Sequence, residues 1–296
     1  MKPVRIRRLI DSDIPFAMSL KESAGWNQTE DDWRSFLAFR PDGCFLAEWE
    51  GQPAGTVTTI DYQGALGWIG MLLVKRELQG RGIGRRLLET AVESLSNCGG
   101  VLLDATPAGR RIYLPMGFED VEGLERRVRP EGAGAGAGSA QRLEDPAPAS
   151  IELEPFRPEH LAAASAFDAP VFTAERDQVL AAWLRSAPHL AWVASTRDAL
   201  AGFCLGRRGS RAEHIGPIVA VSLPAARALL ERAIESAGDR PLLADTFLRN
   251  AEWLRVLDRL GFVTERPFIR MRRGADKPST GTGSTSYWVA AGPEVG

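Results

Sequence analysis

Histidine, cysteine and tyrosine are scarce, three of each in 296 residues. The cysteines, Cys44, Cys98 and Cys204, are odd in number and far apart. No CxxC pair and no Cys/His cluster has zinc-ligand spacing, so no metal is expected. Scattered, unpaired thiols fit a reducing, cytoplasmic setting. A dominant charge is also missing. The formal net charge of -2 gives no general attraction to nucleic acid or to acidic membranes. Long apolar runs are absent too. The best, residues 64–74, is far shorter than the roughly 20 residues a membrane helix needs. The opening "MKPVRIRRLIDSD" carries positive charge with no apolar stretch behind it, so it does not read as a signal peptide. The expectation is a soluble cytoplasmic protein, a monomer or homodimer, with no nucleic-acid or membrane partner.

Apolar material is not lacking. A 44% hydrophobic fraction over 296 residues suffices for two cores. The boundary falls at residues 131–150, "EGAGAGAGSAQRLEDPAPAS", whose Gly, Ala, Pro and Ser offer little to bury. Domains at 1–130 and 151–296, joined by a flexible linker at 131–150, follow. Residues 274–285 have the same character, and Tyr287, Trp288 and Val289 then read as a last short strand.

The first half alternates in type. Residues 4–9 read as a strand. Residues 13–23 and 29–39 read as helices, the second with Thr29 at its cap and acids in its first turn. Strands at 44–49, 54–61 and 68–74 form a meander. Ile83, Leu87, Leu88, Ala91, Val92 and Leu95 make a one-sided stripe at helical spacing. A short strand at 101–105 and a short helix at 110–116 follow, and Phe118 opens another strand. The second half repeats the order. Strands are expected at 151–156, 215–221 and 241–245, with helices at 158–167, 173–186, 224–237 and 250–260. The Ala-Gly pairs at Gly55 and Gly202 lie 147 positions apart, and the Gly-Phe pairs at Gly117 and Gly261 lie 144 apart. Two landmarks at nearly one offset argue for a duplicated domain.

"LQGRGIGRRLLE" places three glycines in five positions at the mouth of a helix. A helix N-terminus presents amides without intrahelical partners and the positive end of the helix dipole. Glycines let backbone approach an anion closely, and Arg81 and Arg85 add charge. The stretch is built for a pyrophosphate, although a tight turn would use the same glycines. It is neither GxxxxGK[ST] nor GxGxxG in a parallel unit.

Gln-x-x-Gly-x-Gly between a strand and an amphipathic helix, followed by "IYLPMGF", resembles the GNAT N-acetyltransferase family. The pairing of this half with a second containing "HIGPIVA" and a final "AAGPEVG" resembles a bacterial two-domain subgroup of that family. The resemblance implies an α+β protein of two tandem GNAT-like domains, each with a mixed, mostly antiparallel central sheet flanked by helices. It implies acetyl-CoA as co-substrate, transfer of its acetyl group to the primary amine of a small molecule, and no metal. Gln79, Gly80, Arg81, Gly82, Ile83 and Gly84 would bind the pyrophosphate. Backbone groups of Leu72, Leu73 and Val74 would pair with the pantetheine arm beside a bulge, and an N–H near Leu72 would face the oxyanion. Thr106 would help hold coenzyme A.

Tyr113, four residues before Gly117, would donate a hydrogen bond or a proton to the departing thiolate. With reference pKa values near 10 and 8.5, full transfer is uphill by roughly 2 kcal/mol. The acceptor wall would include Trp26 and Asn27 in "AGWNQTEDDW". Where some relatives carry a glutamate on the strand, this chain has Trp68, itself a candidate acceptor contact. A base for the amine would then be Asp61, Asp104, Glu48 or a water chain. The second half lacks the glycine turn, Pro224 opening its helix instead, and Leu257 replaces the tyrosine. That half reads as a degenerate GNAT-like domain without coenzyme A binding, and His214 as either an acceptor-side or a buried structural residue. A synthase of an acetylated thiol cofactor and a non-catalytic acyl-CoA sensor are the alternatives.

Overall fold

The computed structural model describes residues 4–133, 151–197, 199–274 and 286–296. The expected linker, from residue 134 on, and residues 275–285 of the expected polar stretch lie outside the described residues. The chain divides into two compact units. The first is Met1–Glu119 with Met271–Pro278 and Glu294–Gly296; the second is Asp120–Arg270 with Ser279–Pro293.

The first unit runs β1 (Arg5–Arg8), α1 (Ile14–Ser23), α2 (Glu30–Phe39), β2 (Cys44–Trp49), β3 (Gln52–Tyr62), β4 (Leu66–Val74), α3 (Ile83–Ser94), β5 (Val101–Ala105) and α4 (Pro107–Tyr113). Its strands lie in the order β1-β2-β3-β4-β5, antiparallel except for β4 and β5. Thr29 caps α2 reciprocally: its hydroxyl accepts from the Asp32 N–H, and the Asp32 carboxylate accepts from the Thr29 N–H.

Successive strand residues point to opposite faces, and this decides what covers β3. A Cβ on Gly55 would lie 3.1 Å from Leu87 Cδ1 of α3, and one on Gly67 of β4 3.0 Å from Leu95 Cδ1. Arg40 bridges from Thr59 of β3 to the Ser94 carbonyl. Gly55, Val57, Thr59 and Asp61 therefore face α3, and Thr56, Thr58, Ile60 and Tyr62 line the opposite face. The α3 stripe is as patterned, with Ile83, Leu87, Leu88, Ala91 and Leu95 all buried. Each fully buried leucine contributes about 1.5–3 kcal/mol.

The second unit continues with β6 (Glu119–Arg129), β7 (Ile151–Pro155), α5 (Leu161–Phe172), α6 (Asp177–Ser186), β8 (Trp192–Thr196), β9 (Ala199–Arg207), β10 (Glu213–Ala220), α7 (Leu223–Ala237), β11 (Leu242–Phe247), α8 (Ala251–Arg259), β12 (Val263–Arg273) and β13 (Tyr287–Ala290). Its strand order is β12-β6-β11-β13-β10-β9-β8-β7. The architecture is α+β, mostly antiparallel, as expected.

Three details differ from the sequence reading. The units do not part at residue 130. β6 pairs with β11 from Leu124↔Phe247 to Arg129↔Leu242, and buried Arg126 and Asp245 form a bidentate ion pair at 2.8 and 2.7 Å. These bonds commit β6 to the second unit. The helix expected at 110–116 begins a turn earlier, because Thr106 caps it and Pro107 suits its first position. The helix expected at 158–167 runs instead to Phe172, through Pro170, where buried Asp168 pairs with Arg176 at 2.7 and 2.8 Å.

Candidate functional site

The glycine-rich turn sits between β4 and α3. Gly80 has φ 76° and Gly82 φ 83°, left-handed conformations that side chains adopt at a cost. Gly82 occupies the N-cap of α3. The first helix-closing bond runs from the Arg86 N–H to the Gly82 carbonyl at 3.0 Å. The amides of Ile83, Gly84 and Arg85 therefore have no partner within α3 and stand at its positive end. Nothing lies within 4 Å of a Cβ on Gly80, and residues 79–82 are exposed. Arg81 lies over the Trp49 ring at 5.8 Å. The Gln79 side chain donates to the Val74 carbonyl at 3.3 Å and fastens the turn to the end of β4.

β4 carries an extra residue here. Thr56 stands opposite Leu73 and Thr58 opposite Gly70, so Met71 and Leu72 together face Val57 alone. Met71 has φ 50°, and its carbonyl accepts from the Thr56 hydroxyl at 3.0 Å. Such a bulge re-aims the backbone after it. Leu72, Leu73 and Val74 are half-buried. β5 pairs with β4 at Gly67↔Val101 and Trp68↔Leu102, and then the strands part. Turn, bulge and parting strands thus lie along one short stretch of chain.

The second unit has a similar split, and there a strand of the chain lies in it. β10 pairs with β11 from Glu213↔Leu242 to Ile215↔Ala244. Beyond it, β13 lies between them, Val289 opposite Ile218 on one side and Thr246 on the other. The split opens at Gly216, where a Cβ would fall 2.0 Å from the Ala290 carbonyl oxygen. Only glycine admits so close a backbone. The helix after β10 is capped by the Ser222 side chain, with Pro224 in its first turn.

Tyr113 ends α4, half-buried, with its ring 6.0 Å from that of Phe118. A Cβ on Gly109 would meet the Tyr113 ring at 3.0 Å and its hydroxyl oxygen at 3.2 Å, so the phenol lies against the helix backbone. Burial pushes its hydroxyl up to about 12. The Thr106 side chain accepts from the Gly109 N–H at 3.1 Å, which makes it the cap of α4. Burial also pushes the thiols of Cys44 and Cys98 up, to about 12 and about 11, which disfavours their nucleophilic thiolates.

Trp26 and Asn27 lie between α1 and α2, Trp26 half-buried and Asn27 buried. Trp68 is fully buried on β4 opposite Ile60, on the face away from α3. Of the three carboxylates considered as bases, Asp61 accepts from the Gly64 N–H at 2.6 Å within the β3–β4 turn. Glu48 is held by Arg7 at 2.7 Å. Asp104 is half-buried on β5. One carboxylate was not foreseen. Glu294 is buried, and its Cα would lie 2.9 Å from a Cβ on Gly70. The next residue, Val295, accepts from the Tyr62 hydroxyl at 2.6 Å through its carbonyl. No local pattern links residues so distant in sequence.

His214 is buried in the second unit, with Nε2 3.0 Å from Asp245 Oδ2. Burial lowers its pKa, against the opposing pull of Asp245. The histidine is thus buried beside the aspartate that also pairs with Arg126. Among the described residues, no three His, Cys, Asp or Glu side chains gather as a metal site. No helix there is long and apolar enough to cross a membrane.

Comparison with known proteins gives two family matches. A model described as the acetyltransferase (GNAT) family matches residues 13–118, and one described as an acetyltransferase (GNAT) domain matches residues 164–285. No significantly similar protein was found among those with curated functions. Among solved structures, a Pyrococcus horikoshii protein aligns over 100% of this chain and 97% of its own, with 23% identity and a TM-score of 0.78. A GCN5-related N-acetyltransferase from Sphaerobacter thermophilus aligns over 93% and 99%, with 18% identity and a TM-score of 0.63. A tandem GNAT protein from the clavulanic acid biosynthesis pathway aligns over 93% and 100%, with 15% identity and a TM-score of 0.61. At these identities the likeness is one of fold.

Proposed function

Since the chain belongs to the GNAT acetyltransferase family, with two such domains in tandem, we propose that it is an acetyl-CoA-dependent N-acetyltransferase acting on a small primary amine, with its chemistry in the first unit. Acyl-CoA-dependent acetyl transfer is what the family supports in general. The choice of unit rests on one observation: Gly80 and Gly82 open α3 beside a parted β4 and β5, whereas in the second unit β13 fills that split.

The first unit suits coenzyme A in its donors. Amides from Gly80 to Gly84, with Arg81, would hold the pyrophosphate, since left-handed glycines and unused helix amides make a concave anion site. The backbone of Leu72, Leu73 and Val74 would pair with the pantetheine arm, and Thr106 would stand beside it. Bound acetyl-CoA supplies the activated thioester. Backbone N–H groups at the bulge would polarise its carbonyl. Tyr113 would donate a hydrogen bond toward the sulfur. Trp26 and Asn27 would border the acceptor.

Calorimetry with acetyl-CoA and thiol release over an amine panel test this reading on the full chain. Binding together with release supports it. Binding without release by any amine favours an acyl-CoA sensor, and no binding at all removes the reading.

A further inference from the structure

The second unit holds a cavity that the proposed coenzyme site does not use. Its volume is about 200 Å³, and every residue lining it belongs to that unit. Size decides what can enter. About 150 Å³ is enough for a benzene ring in an apolar cavity. The space therefore suits one ring with a small substituent and is far too small for coenzyme A.

Its walls are rings. Phe247, at the end of β11, meets Tyr287 of β13 with centroids 4.8 Å apart, and Trp253 of α8 meets Trp288 of β13 at 5.5 Å. All four are buried. Arg249, Asn250 and Ala251 also line the cavity, and they are half-buried or exposed. The rings thus form its depth, and the turn before α8 forms its mouth. Aromatic walls offer a further ring large contact area and edge-to-face packing.

The polar groups at the mouth are of one kind. Acceptors on the lining side chains are taken. Asn250 Oδ1 accepts from the amides of Glu252 and Trp253 at 3.1 and 3.0 Å, and the Tyr287 hydroxyl oxygen accepts from Arg176 at 3.0 Å. The indole N–H groups are spent as well, that of Trp253 on the Thr246 hydroxyl and that of Trp288 on the Ala220 carbonyl, each at 2.9 Å. The Asn250 side-chain nitrogen has no partner among the described residues. Nor does the Ala251 N–H, the first amide of α8 and one that its cap does not satisfy. Both are donors, and they stand at the positive end of a nine-residue helix. The Arg249 guanidinium lies 4.1 Å over the Phe247 ring and is fixed by Glu122 at 2.5 Å. A fixed cation and two donors at a helix start call for an acceptor, and an anionic one is bound best.

We infer that this cavity binds a single-ring aromatic carboxylate: the ring enters among Phe247, Tyr287, Trp253 and Trp288, and the carboxylate accepts from Asn250 and Ala251 beside Arg249. The assignment gives the second unit a ligand of its own. It does not rest on the acetyltransferase reading, since no residue of the glycine turn takes part.

The test is calorimetry on the full chain at neutral pH with three probes, benzoate, acetate and benzylamine. Benzoate should bind saturably, one per chain, with a Kd of roughly 0.1–1 mM for so small a ligand. Acetate lacks the ring and benzylamine reverses the charge, so each should bind at least about tenfold more weakly. Two variants place the site. Asn250→Asp keeps a good helix cap but exchanges a donor for a carboxylate. Benzoate affinity should fall about tenfold or more, with the Tm little changed. Ala251→Leu adds bulk at the mouth, at an exposed position where a helix accepts leucine. It should weaken benzoate by a similar factor.

No saturable benzoate binding would overturn the assignment. So would acetate or benzylamine binding as tightly as benzoate, or a benzoate site that survives both variants and therefore lies elsewhere. Thiol release by the wild type does not enter the test, so failure of the acetyltransferase reading leaves this assignment standing.

Discussion

Removing the Tyr113 hydroxyl asks whether it transfers a proton or only donates a hydrogen bond. An ordinary phenol faces a thiol about 1.5 units more acidic, an uphill gap of roughly 2 kcal/mol. Burial widens that gap, because it pushes Tyr113 up to about 12. Against a thiol near 8.5 the difference is about 3.5 units, or about 5 kcal/mol at 1.36 kcal/mol per unit. Complete transfer would thus cost more than the step could readily recover. A hydrogen bond to a developing thiolate involves a charged partner and contributes about 1.5–3 kcal/mol. Tyr113→Phe should therefore lower kcat by about 10- to 150-fold, with acetyl-CoA affinity little changed. The ring would still fill the space against Gly109, so folding should be preserved. The assay is thiol release between pH 6 and pH 10 for both proteins. With a hydroxyl near 12, the wild-type profile should have no falling limb from this residue in that window. A limb near pH 8–9 that vanishes in the Phe variant would refute the reasoning, and so would undiminished activity.

Gly80→Ala adds a methyl group that meets nothing within 4 Å but forces an alanine to φ 76°. That strain is about 1–2 kcal/mol, so acetyl-CoA should bind roughly 5- to 30-fold more weakly if the turn must keep its shape; unchanged affinity would remove the glycine turn from the site. His214 has its pKa lowered by burial, so on acidification the unfolded chain takes up this proton before the folded one does. The stability from this residue is present above about pH 6.5 and is lost as pH falls below it. Thermal melts should show that acid-side decline, and it should be shallower in His214→Gln. Calorimetry should count one acetyl-CoA per chain. Expelling β13 would expose Tyr287, Trp288 and Val289, all buried, at a cost on the order of 5 kcal/mol, and a stoichiometry of two would contradict the filled split.

Legibility in the sequence followed the range of the interaction. The α3 stripe, the Thr29 cap and the meander of β2, β3 and β4 were readable because each is set within a few residues by period or side-chain capping. The glycine turn was readable for the same reason. Helix limits slipped where a tertiary partner decided them: α5 runs past Pro170 because Asp168 meets Arg176. The membership of β6 was not readable at all, since its backbone partner, β11, lies more than a hundred residues away. Glu294 was hidden more thoroughly. "AAGPEVG" has no period, cap or ligand spacing, and its seat is set by a bond from Tyr62 and by room at Gly70, whose want of a side chain is silent in the sequence.

The duplication offers a physical reason for the unequal halves. Parting β4 from β5 leaves backbone amides and carbonyls facing one another too far apart to bond, and such groups are costly if buried without partners. A split sheet therefore needs something laid along it. In the second unit the chain supplies β13, with Ala290 pressed against Gly216 so closely that no side chain fits there. The strand is held at its sides too: Trp288 Nε1 donates to the Ala220 carbonyl at 2.9 Å and Thr246 donates to the Trp288 carbonyl at 3.0 Å. In that unit α7 starts on a serine cap with a proline after it, an ordinary helix start. The first unit keeps a turn that an ordinary helix would not select, two exposed left-handed glycines at the mouth of α3. That turn loses conformational entropy on folding, and a Cβ on Gly80 would meet no atom of the described residues within 4 Å. Its retention where β4 and β5 part is what the proposed coenzyme A site requires, a ligand lying along the strand with its pyrophosphate on the helix amides.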